Sequence, residues 1–113
     1  MGKVSPKRNR RGNGLKAVPF DGWLEKQLKN KRFAAHYLTE SFQDGTQDEF
    51  LLAVHDVVKT HGGVKSFAEK TGVSRQHLHK IFAGKASPTL PTLRMLLNAL
   101  GFTIDVVPLK EAA

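Results

Sequence analysis

From residue 20 onward, apolar side chains recur at the three- and four-residue spacing of helices that bury one stripe. Phe20, Trp23, Leu24 and Leu28 form a first stripe, and Phe33, Ala34, Tyr37, Leu38 and Phe42 a second. They predict two helices, or one with an irregularity near Asn30. Gly45 interrupts the pattern, and Thr46 followed by Glu49 has the spacing of a capping box. A helix over about residues 47–60 then places Phe50, Leu51, Val54, Val57 and Val58 on one face and stops at Gly62 and Gly63. Three shorter helices are predicted after it: VKSFAEKT (64–71), RQHLHKIFA (75–83) and TLPTLRMLLNAL (89–100). Thr89 caps the last, and Pro91 is tolerated in its first turn, where a missing N–H leaves nothing unpaired. Only 102–107 reads as a strand, with Phe102, Ile104 and Val106 alternating with Thr103 and Asp105. The prediction is an all-α fold with a short C-terminal β-strand, and a lone strand needs something to pair with.

A chain of 113 residues has the length of one ordinary domain. It contains no cysteine, which excludes disulfides, thiolate metal sites and thiol catalysis. No apolar run reaches the length of a membrane span, and the charged N-terminus is not followed by an apolar segment, so a soluble cytoplasmic protein is expected, with no membrane contact.

The formal charge of +8 is unevenly distributed. Residues 1–18 carry six basic side chains and no acid; 19–58 sum to −3; 59–94 sum to +6, with Glu69 the one acid; the remainder sums to −1. Residues 1–18 also lack large apolar groups apart from Met1, Val4, Leu15 and Val18, too few to offset the entropy of ordering, and are expected to form a disordered basic arm. The arm, a helical extension over 19–45, a domain over 46–101 and a strand and tail over 102–113 make up the predicted organisation. Positive charge gathered in a tail and one folded segment is the footprint of a polyanion-binding protein, most simply one that binds nucleic acid; a surface of merely solvated lysines is the plain alternative.

Two short helices joined by a glycine-containing turn, at residues 64–83, have the sequence form of a helix-turn-helix. Ala68 is small enough to let the second helix cross closely, Gly72 suits a turn with positive φ, Val73 fills the corner and Ser74 caps the second helix. Leu78, Ile81 and Phe82 anchor that helix. With Leu78 at the origin and about 100° per residue, Gln76 falls near 160°, Lys80 near 200° and His79 near 100°, with His77 on the flank. Arg75 stands on the first turn. Arg pairs with guanine and Gln with adenine through two hydrogen bonds in the major groove, so Arg75, Gln76 and Lys80 are the candidate base-reading residues, with His79 next. Lys65 and Ser66 at the start of the preceding helix, and Lys85, Ser87 and Thr89 around the next cap, are the candidate phosphate contacts. His77 and His79 point about 200° apart on a helix and cannot share a metal ion. His36, His55 and His61 are isolated, with His55 expected on a helix surface. No paired carboxylates, nucleophile motif or phosphate-cradling glycine loop is present, so neither enzyme activity, metal, cofactor nor small-molecule substrate is expected.

The stretch FAEKTGVSRQHLHKIFAGKASPTLPTLRMLLNALGF resembles the Xre/Cro-type helix-turn-helix of phage repressors, and the match covers roughly residues 47–101. Over about residues 33–108 the chain looks like the HigA-like addiction-module antidote subfamily, which shares an AAxYL…DG segment, a PTLxTLxxxLxALG end and a short following strand. The resemblance implies a five-helix Xre (lambda-repressor-like) core, operator binding as a homodimer, repression of its own operon, and a small RelE/ParE-like toxin as partner. It puts base-reading roles on Arg75, Gln76, His77, His79 and Lys80, and backbone contacts on Lys65, Ser66, Lys85 and Thr89. The Gly62–Gly63 pair and the basic tail of residues 1–16 depart from that pattern. A stand-alone prophage-type repressor without a toxin, and a purely protein-binding chain using the Phe20–Leu28 stripe and residues 102–107, are the competing readings.

Overall fold

A computed structural model describes residues 22–109, in six helices: α1 (Gly22–Leu28), α2 (Lys31–Asp44), α3 (Gln47–Thr60), α4 (Gly63–Thr71), α5 (Arg75–Phe82) and α6 (Leu90–Ala99). The predicted basic arm, Phe20 and residues 110–113 lie outside the described residues.

Local chemistry sets the helix boundaries. Asn30 ends the ambiguity between one helix and two: its side-chain oxygen accepts from the Phe33 N–H and starts α2. Thr46 and Glu49 close a full capping box on α3, each side chain bonding the other residue's N–H at 3.1 and 3.0 Å. Ser74 caps α5 through the His77 N–H, and Thr89 caps α6 through the Thr92 N–H. Each satisfies a backbone donor that the first turn leaves unpaired.

α3 is the central element, packed against α1, α2, α4 and α5. Its seven buried residues include all five that the periodicity placed on one face. Leu24 and Leu28 of α1 and Ala34 and Leu38 of α2 join the same cluster as Leu78, Ile81 and Phe82 of α5 and Leu96 and Leu97 of α6. Burial of a side chain of this size is worth about 1.5–3 kcal/mol relative to exposure. Among the described residues one buried residue is charged: Asp56 has no exposed surface, accepts from the Tyr37 hydroxyl at 2.8 Å and lies 3.9 Å from Lys59 Nζ. The Tyr37 bond crosses from α2 to α3 and pairs a group whose desolvation is otherwise costly.

Two expectations are corrected. Residues 46–101 hold four helices rather than five, and α1 and α2 complete the core instead of a fifth helix. No strand forms at 102–107, and none occurs among the described residues. The Phe102 N–H donates to the Leu97 carbonyl, after which 103–109 makes no backbone–backbone hydrogen bond within the described chain. A strand needs a partner edge, which the described helices do not offer; Phe102 and Ile104 pack against the helical core instead.

Candidate nucleic-acid interface

α4 and α5 are joined by Gly72, Val73 and Ser74 alone. Gly72 has φ +82°, and its N–H donates to the Ala68 carbonyl, closing α4 in a left-handed turn. Val73 is half-buried against the core and its N–H donates to Thr71 Oγ1, so the corner is filled and the Gly72 and Val73 N–H groups are both paired. α5 then leaves the turn with Leu78 and Ile81 without exposed surface and Phe82 at 4 %. Phe82 is also covered by His55 of α3, the two rings stacking with centroids 4.6 Å apart and planes 5° from parallel. His55 is therefore a packing residue, a role its isolated position in the sequence did not suggest.

The opposite face of α5 is polar throughout. Arg75, Gln76, His77, His79 and Lys80 are all exposed, and the structure brings these five candidates onto one short helix. The loop after α5 is folded back on it: the Lys80 carbonyl accepts from the Lys85 and Ala86 N–H groups at 2.8 and 3.2 Å, which keeps Lys85 beside the end of α5. Ser87 is exposed but engaged, accepting from Gln47 Nε2 of α3 at 2.9 Å. Thr89 is spent on its cap and on a 3.1 Å bond from its hydroxyl to Thr92 Oγ1. Lys65 and Ser66 are exposed on α4, whose N-cap, Gly62, makes no side-chain bond to the first turn. Lys65 and Lys85 thus offer charge, whereas Ser87 and Thr89 already serve the fold. Gln47 is the neighbour that sequence reasoning missed, because its bond joins residues forty positions apart.

Charge is uneven along the chain. Residues 33–58 contain Glu40, Asp44, Asp48, Glu49 and Asp56 and no lysine or arginine, whereas residues 59–94 sum to +6. His61, on the basic side, is held below its ordinary pKa by partial burial and by the nearby charges of Lys70 and Lys31. Among the described residues, no group of three or more histidines, aspartates or glutamates is placed to hold a metal ion, and no helix is long and apolar enough to cross a membrane.

The family model for probable addiction module antidote proteins matches residues 17–108, most of the chain. The chain belongs to that family. The antidote role implies a toxin of some kind as partner. Neither a curated protein nor a solved structure matches.

Proposed function

We propose that this antidote protein is a sequence-specific DNA-binding regulator, with α4 and α5 acting as a helix-turn-helix. In this reading it represses its own operon as a homodimer and neutralises a RelE/ParE-like toxin. The observation that carries the DNA reading is α5 itself: a helix anchored on one side by Leu78, Ile81 and Phe82 and lined on the other by five exposed polar or basic residues. Arg75 and Gln76, in its first turn, are the groups able to make paired hydrogen bonds with guanine and adenine edges. Lys65 and Lys85 supply charge for flanking phosphates, and the first turn of α4 supplies N–H groups free of a side-chain cap. Such contacts fix register; the α5 side chains supply discrimination. A homodimer doubles the reading surface and matches a two-fold operator.

The test is binding of the full chain to the DNA upstream of its own reading frame and to random duplex, at fixed salt. Arg75→Ala or Gln76→Ala is expected to cost about 1–3 kcal/mol on the operator and much less on random duplex. An equal loss on both would remove the base-reading role. Sedimentation of the free protein and of its DNA complex reads the dimer.

A further inference from the structure

A second surface lies away from α5. A groove of about 500 Å³ runs between α2 and the extended segment that follows α6. Leu38 and Phe42 form one wall, Phe50 of α3 and Leu97 of α6 the floor, and Ile104 and Val106 the other wall. No α5 residue lines it. Phe42 is 54 % exposed although its ring meets Phe50 edge-on, with centroids 4.9 Å apart, and Val106 is 91 % exposed. Exposed large apolar groups gathered around a groove, rather than scattered singly, mark a surface that something covers.

The chemistry of the surroundings selects the occupant. The lining contains Asp105 and no basic residue. Glu40 and Asp44 stand on the wall helix and Glu49 at the start of α3, outside the lining, and Lys31 Nζ at the opening of α2 lies 5.6 Å from the centroid of the Phe102 ring. An apolar lining with one acid and no base offers nothing to hold a polyanion. A protein segment that presents aliphatic side chains beside a basic residue fits both the apolar lining and Asp105. The adjoining segment 103–109 also leaves its backbone groups without backbone partners among the described residues, so it can accept an extended strand as well as a helix.

We propose that this groove is where the antidote holds its toxin, through a cationic, aliphatic segment of that protein. The inference rests on the antidote role and is independent of the DNA reading. Because α5 takes no part in the groove, the toxin and a nucleic acid bound at α5 would occupy the chain together.

The experiment places photoreactive p-benzoyl-phenylalanine at Phe42 and, separately, at Gln76 in the full chain expressed from its own operon. The expected adduct at Phe42 is one cationic protein that arrests growth when expressed alone and is relieved by the intact chain, with no such adduct at Gln76. That protein is then purified and titrated against Phe42→Lys and Val106→Lys. Both positions are exposed, so the variants are expected to melt with the intact chain, yet bind at least tenfold more weakly; Arg75→Ala is expected to bind as the intact chain does. An adduct with a second copy, with an acidic protein or with nucleic acid, or no adduct at Phe42, overturns the assignment. So does unchanged toxin affinity in both lysine variants, in which case growth rescue by the intact chain shows that the antidote role survives and only the groove is wrong. Loss of operator binding by Arg75→Ala with toxin affinity intact separates the DNA reading from this one.

Discussion

Replacing Gly72 with alanine isolates the backbone contribution of the turn that launches α5. The residue has φ +82°, and a Cβ built on it would meet no atom within 4 Å, so side-chain collision adds nothing. Placing an L-residue in the left-handed region costs roughly 1–2 kcal/mol. Alanine also has fewer unfolded conformations than glycine, which returns roughly 0.4–1 kcal/mol. The expected net loss is about 1 kcal/mol, or a fall in Tm of about 4–8 °C for a domain near this size. Urea unfolding followed by circular dichroism reads the change as a lower midpoint with an unaltered slope. Gly72→Asn should lose less than Gly72→Ala, since asparagine tolerates this region better. Because nothing needs to move, the folded variant should keep whatever affinity α5 confers. Full stability in Gly72→Ala, or a loss above about 3 kcal/mol, would refute the backbone account, the first by removing the strain and the second by implying a displaced α5.

Further outcomes follow from the core and its polar contacts. Leu78→Ala removes a fully buried anchor of α5 and should cost about 2–5 kcal/mol in urea unfolding, with nucleic-acid affinity falling as the helix loosens. Tyr37→Phe deletes the 2.8 Å hydrogen bond to buried Asp56 and should cost about 1.5–3 kcal/mol, a loss that Tyr37→Phe combined with Asp56→Asn should not double. His61 is held below its ordinary value, so between that lowered value and about pH 6.5 the unfolded chain binds more protons than the folded one. Its contribution therefore weakens the fold as pH falls through that window. His61→Gln should lose less Tm than the intact chain between about pH 7.5 and pH 5.5; an equal or steeper loss would contradict the sign.

The sequence made legible what is encoded within one or two helical turns. Thr46 with Glu49, Ser74 and Thr89 announced the starts of α3, α5 and α6, and Gly72 announced the turn, because each acts on backbone groups two to four residues away. The apolar stripe of α3 was legible for a similar reason, since one face of a single helix is a local pattern. What was illegible depends on contacts between distant segments. Asp56 looks like a surface acid until α2 brings Tyr37 to it, and Ser87 looks free until α3 brings Gln47. His55 looks solvated until Phe82 stacks on it. The alternation at 102–107 states a preference for extended backbone but cannot supply the neighbouring edge that would make it a strand. Of the site, the polar face of α5 followed from its periodicity, whereas the groove beside Phe42 did not, because its opposite wall is more than fifty residues away along the chain.

The concentration of positive charge in residues 59–94 has a consequence for how the molecule meets a partner. Residues 59–94, which hold α4, α5 and the loop after it, sum to +6, so this stretch attracts any polyanion before contact. The attraction acts within about a Debye length of 10 Å at 0.1 M salt, and added salt slows encounter by screening it.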